Sequence, residues 1–202
     1  MTLKRAITIA VVGVGLAVGV AQAGWFFQSG RWYFTPDIGS DITLKGIPNP
    51  EAQPSRLAWS FTSATYACAC HNNGGNFASE VVSVEYPVTV IAVEDIDPTD
   101  ITDKKKGIAL VTGHIDTADL CTPATLAAAG VTCQNQNWSV DPESTLVYTF
   151  SATVEAFLLN KKTGLYESQG RQSYNNCTLS DLSFSPLNLP PPNTPYGCDP
   201  IG

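Results

Sequence analysis

The sequence predicts an all-β, mainly antiparallel protein of β-sandwich or barrel-like architecture, stapled by disulfides and carrying one short helix near 123–129. Three observations predict it. Apolar and polar residues alternate with period two over long stretches, clusters of turn-forming residues separate those stretches, and six cysteines follow an N-terminus that reads as a secretion signal.

The N-terminus has three zones. Lys4 and Arg5 give a positive start, Ala6 to Val20 form an apolar run of 15 residues, and Ala21-Gln22-Ala23 places small residues where a signal peptidase requires them. That run is short of the roughly 20 residues that cross hydrocarbon, so residues 1–23 are expected to be a cleavable signal peptide rather than an anchor. The mature chain would form a single β-rich domain over 24–185, followed by a proline-rich tail over 186–202. Loss of Lys4 and Arg5 leaves nine basic against 18 acidic residues, a formal charge of −9. An acidic surface repels polyanions, which argues against nucleic acid as a partner. No stable membrane insertion is expected after cleavage, and the expected location is secreted, periplasmic or cell-surface.

Residues 25–34 hold two aromatic triplets, Trp25-Phe26-Phe27 and Trp32-Tyr33-Phe34, around Gln28-Ser29-Gly30-Arg31. The spacer suggests a hairpin turn. The six rings are candidate interaction residues, either docked on the chain's own core or forming an arm that adds as a strand to a neighbouring subunit. Residues 41–56 are polar and punctuated by Pro48, Pro50 and Pro54, and read as a loop. Leu57 to Ala67 alternates and reads as a strand. Val82, Val84, Tyr86, Val88 and Val90 share one parity, a half-buried strand whose Pro87 implies an edge or a bulge. Ile108 to Ile115 is a more uniformly apolar strand. The longest alternation runs from Thr145 to Leu159, turns at Asn160–Gly164, and continues into Leu165–Ser168 as a hairpin. From Pro186 through Pro190-Pro191-Pro192 to Pro200 the chain reads as an extended tail, with helix and interior strand excluded. Two packed sheets would accommodate these strands.

Cys68, Cys70, Cys121, Cys133, Cys177 and Cys198 are even in number and lie in a segment destined for an oxidising compartment, so three disulfides are expected. Between Cys121 and Cys133, Thr122 can cap, Pro123 suits the first helical position, alanines propagate and Gly130 stops the helix. Its flanks return close together, which suggests a Cys121–Cys133 bridge. Cys68 and Cys70 leave one face of an extended chain and cannot bond each other. They would then bond Cys177 and Cys198 in one of two pairings, tying the tail back.

Chemistry-bearing residues are sparse. Cys68-Ala69-Cys70-His71 lacks the spacing of a zinc site or a covalent haem motif, and blue copper would need an axial methionine that the mature chain does not have. His114 and Asp116 share a strand face and could act as an oriented base in a hydrolase, although no nucleophile motif accompanies them. Glu94 to Asp103 contains five acids, a candidate Ca²⁺ loop that departs from the EF-hand pattern at Asp100 and Lys106. Gln134-Asn135-Gln136-Asn137-Trp138 offers amides and an indole suited to a glycan. Asn137-Trp138-Ser139 and Asn176-Cys177-Thr178 match the N-glycosylation pattern. The resulting expectation is a non-catalytic structural or interaction protein outside the cytoplasm, without cofactor, whose partner is a protein and in one version a second copy of itself. The alternatives are a ligand-binding module for glycan or Ca²⁺, and a hydrolase using His114 and Asp116.

Overall fold

A computed structural model describes residues 26–72, 74, 77–86, 91–133 and 137–201. Strands form where the side chains alternate. They are β1 (Phe26–Phe34), β2 (Ile38–Lys45), β3 (Ser55–Asn72), β4 (Phe77–Tyr86), β5 (Ile91–Asp95), β6 (Ile101–Asp103), β7 (Ile108–Ile115), β8 (Trp138–Val140), β9 (Leu146–Asn160), β10 (Leu165–Leu179) and β11 (Pro195–Ile201). The single α-helix described, α1 (Pro123–Ala128), starts as its sequence dictates: the Thr125 N–H donates to Thr122 Oγ1 at 3.1 Å and Pro123 occupies the first turn. Beyond the helix, Gly130 takes a left-handed φ of 71°, which costs glycine little.

The protein is mostly antiparallel β, and the strands form one sheet rather than two packed ones. Its continuous path is β4-β3-β9-β10-β11-β1-β2-β7-β6, with β5 and β8 pairing with β3 off that path. This sheet curls into a half-barrel. Right-handed twist accumulated over so many strands turns a sheet toward its own far side, and here β7 comes to lie beside β5 and β3. One curled sheet can bury a single concave face, so no second layer is needed.

Inward positions of β3 and β9 fall on the predicted parities, and β2 adds an alternation that was not predicted. Leu57, Trp59 and Phe61 of β3, Ile38, Ile42 and Leu44 of β2, and Ala152, Val154 and Ala156 of β9 are all buried. At the centre Phe150 meets Trp32, Phe61 and Tyr196 with ring centroids 5.1, 4.8 and 5.1 Å apart. Tyr174 sits edge-on to Trp32 at 5.4 Å, and the Tyr196 hydroxyl donates to the Val147 carbonyl at 2.9 Å. Burial lifts the Tyr174 phenol from 10.0 to about 12, and burial also raises that of Tyr196.

These phenols stay protonated in the fold but ionise near pH 10 once the chain unfolds. Their stabilisation is therefore complete below pH 10 and is lost as pH rises toward and through the folded values. Thermal melts should fall steeply above pH 10, with about 1.4 kcal/mol lost per pH unit for each such phenol. The Tyr174→Phe protein should show a shallower decline between pH 10 and 12. Equal slopes for the two proteins would contradict this assignment.

Several expectations require correction. Residues 28–31 do not turn. β1 runs through them, paired with β2 from Phe26↔Lys45 to Phe34↔Ile38, with a bulge between Phe27 and Ser29. Gly30 is needed there because the Tyr174 phenol occupies the place of a side chain. The turn lies one step later, where the Thr35 N–H donates to the Asp37 carbonyl at 2.8 Å. The expected loop over 41–56 is shorter, since Ile42 and Leu44 alternate inward as part of β2. The tail is not excluded from the sheet either, because β11 lies between β10 and β1. Pro195 is the first residue of that strand, where a missing N–H is tolerated. Pro200 lies where β11 no longer pairs with β1.

The disulfide pairing also differs. The bonds are Cys68–Cys121, Cys70–Cys133 and Cys177–Cys198, and neither Cys121–Cys133 nor a link from Cys68 or Cys70 to the tail is present. Cys68 and Cys70 do share the inward face of β3 and do take distant partners. Those partners are the two ends of the α1 segment, laid across that face with Leu120 and Leu126 buried beneath it. Beside it, the turn before β9 completes the β3 ladder: the Ala69 N–H donates to Ser144 Oγ at 3.0 Å and the Ala69 carbonyl accepts from the Asp141 N–H at 3.0 Å. Cys177–Cys198 joins β10 to β11, neighbours in the sheet.

Candidate functional site

The aromatic segment is divided by the fold. Trp25 lies outside the described residues, and for Phe26 the backbone pairing alone is described. Phe27 packs partly buried against the core, Trp32 and Phe34 are buried in it, and Tyr33 is buried outside that cluster. The second triplet is therefore committed to the chain's own interior. Tyr33 lies on the other face of β1 from Trp32, covers Gly39, and donates to Asp41 Oδ1 at 3.2 Å. Arg31 stacks on its ring at 5.2 Å. Burial, and then the Asp41 charge and hydrogen bond, raise the Tyr33 phenol.

What β1 leaves open is its edge. One side is zipped to β2 along its length, but β11 pairs with β1 only at Trp32 and Tyr33. Among the described residues, Phe26–Arg31 have no strand partner on that second side, and Gln28, Ser29 and Gly30 are exposed. A strand held rigidly on one side, with its other row of N–H and C=O groups facing water, can accept a further strand. The path of the sheet also ends at β6 and β4. β6 has only three residues, and the β4 sequence carries Glu80 and Glu85, charges that oppose edge pairing. Sequence periodicity could not reveal the β1 edge, because it is made by where β11 stops pairing.

The other candidate residues are dispersed. His114 and Asp116 are exposed on the outer face of β7 and just beyond it, and the Asp116 carboxylate accepts from the Ala118 N–H at 2.8 Å. No hydrogen bond or ion pair joins the two among the described residues. In the acidic run, Asp95 pairs with Arg56 at 3.0 Å, Asp100 accepts from the Asp97 N–H at 2.8 Å, and Asp103 accepts from the Lys105 and Lys106 N–H groups. Asp95 is held by an ion pair across β3 and β5 and Asp100 and Asp103 by local turn hydrogen bonds, and among the described residues no group of three or more His, Cys, Asp or Glu converges as a metal site. Gln134, Asn135 and Gln136 lie outside the described residues. Trp138 lines a cleft of about 380 Å³ with Pro123, Leu126, Val131, Thr132 and Ser139, beside the Cys70–Cys133 bond. Asn137 and Asn176 of the two glycosylation patterns are exposed, Asn176 with a left-handed φ of 50° in the bulge of β10.

Comparison with protein-family models, with curated proteins and with solved structures finds no match for this chain. Its three disulfides and all-β fold are compatible with an extracellular protein. No helix among the described residues is long and apolar enough to cross a membrane.

Proposed function

We propose that this is a non-catalytic structural or interaction protein of the cell envelope or extracellular space, which self-assembles through its N-terminal strand. The supporting observation is the edge of β1 over Phe26–Arg31, which has no strand partner on one side among the described residues, beside β10 and β11 clamped together by Cys177–Cys198. An antiparallel edge is self-complementary about a two-fold axis, so two copies of β1 can extend one sheet into the other.

Sedimentation velocity of the mature protein, beside a Gln28→Lys/Ser29→Lys variant, tests this reading. The expected result is a concentration-dependent oligomer that becomes monomeric when charge is placed on the edge, with an unchanged melting temperature. A monomer at every concentration for the unsubstituted protein would overturn it.

A second reading, a glycan-binding module, draws support from the Trp138 cleft, whose indole and hydroxyls suit the apolar face and the polar rim of a sugar ring. Saturation-transfer NMR with a panel of oligosaccharides would detect such binding. Signals from none of the panel would remove it.

A further inference from the structure

One layer of the half-barrel interior gathers polar groups that the protein itself does not satisfy. Strand register sets Trp32 of β1 opposite Ser40 of β2, and Ser40 opposite Gly113 of β7. Trp59 of β3 reaches across to the same place. A Cβ on Gly113 would lie 2.5 Å from Trp59 Cζ2 and 2.7 Å from Cε2, the ring carbon that carries the indole nitrogen. Trp32, Ser40 and Trp59 are only 1, 1 and 0 % exposed, and among the described residues neither indole N–H nor the Ser40 hydroxyl has a hydrogen-bond partner.

These groups do not satisfy one another, since none of the three atoms is hydrogen-bonded to another, and the serine proton would find no acceptor in an indole, which only donates. Leaving them desolvated and unpaired is costly. The missing partner must accept from two donors and also exchange a bond with a hydroxyl. It must also be small, since Trp32 is hemmed in by Phe61, Phe150 and Tyr174 with centroids 5.1–6.4 Å away. Water meets both requirements, and buried waters typically make about three hydrogen bonds.

We propose that Trp32, Ser40 and Trp59 form an internal binding site for one ordered water, held between β1, β2, β3 and β7. The Trp59 ring itself fills the place of a side chain at Gly113, which brings its indole edge onto the row of Trp32 and Ser40. β5 and β7 lie side by side at this seam without pairing to each other among the described residues, which gives the molecule a route of exchange by local opening.

Water-selective NOE spectroscopy on the ¹⁵N-tryptophan-labelled mature protein tests the site, with the two indole resonances assigned through Trp32→Phe and Trp59→Phe variants. Both N–H resonances should show cross-peaks to water with the sign of a long-lived bound molecule. Ser40→Ala should lower the melting temperature by about 3 °C, because it removes one of the three anchors. Absence of the water cross-peaks in the unsubstituted protein would overturn the proposal, whether or not the variants fold. A melting temperature raised by Ser40→Ala would also overturn it, since removing an unpaired buried hydroxyl relieves a penalty.

Discussion

Replacing Cys68 and Cys121 together by alanine, or Cys70 and Cys133 together, should each lower the unfolding free energy by about 3 kcal/mol in the chain-entropy treatment of cross-links. The bonds span 53 and 63 residues of chain, but while one stands the other closes only a short ring, so each loss should be close to that of Cys177–Cys198, which spans 21. The first two are coupled. Once either has formed, the other closes only the short ring made by residues 68–70 and 121–133. Removing both should therefore cost more than the sum of the separate losses, about 7 kcal/mol, because the last bond lost releases a loop of more than 50 residues. That variant should also release the α1 segment from β3, exposing Leu120 and Leu126. Urea melts of the three paired variants and the fourfold variant measure these differences. Finding Cys121 bonded to Cys133 by peptide mapping of the non-reduced protein would refute the arrangement itself.

Phe150→Ala should be among the most damaging single substitutions, at about 3–5 kcal/mol. Its ring touches three of the other buried aromatic residues, contributed by β1, β3 and β11. Truncation would leave a cavity where these strands converge, and rings packed on several sides cannot collapse to fill it. Phe150→Leu keeps much of the volume and should cost well under half as much. Leu165→Ala, at the exposed tip of the β9–β10 hairpin, should change stability by less than about 0.5 kcal/mol. Thermal denaturation of the three variants gives the ranking. Equal losses for Phe150→Ala and Leu165→Ala would show that the aromatic cluster does not anchor the core.

The legible parts of the fold are those governed by local rules. Alternation over 145–159 marks β9 because a strand half-buried on one face must place apolar side chains at every second residue. Thr122, Pro123 and Gly130 bound α1 because its cap, first turn and stop each require particular backbone chemistry. β5 and β6 were not legible. β5 ends in, and β6 lies within, the acidic run Glu94–Asp103, and they become separate strands only because β3 and β7 offer them partners.

At the candidate site, sequence pattern singled out the aromatic triplets but assigned the wrong backbone to the residues between them. Gly30 is compatible with a turn, and it is equally compatible with a strand position under a tyrosine ring. The contact that decides between them comes from Tyr174, 144 positions along the chain. Ser40 gave no signal at all, because a single serine on an otherwise apolar strand parity looks like any small residue until its neighbours are known.

By itself the sequence determined an antiparallel, cross-linked β protein with one short capped helix, since periodicity, capping and cysteine number are properties of neighbouring residues. Tertiary structure alone decided that the strands form one curled sheet, that Cys68 and Cys70 bond the α1 segment, and that β11 leaves one side of β1 over Phe26–Arg31 without a strand partner among the described residues. Each of these depends on which distant segments meet. That choice is made by burial of one shared concave face, and no local pattern encodes it.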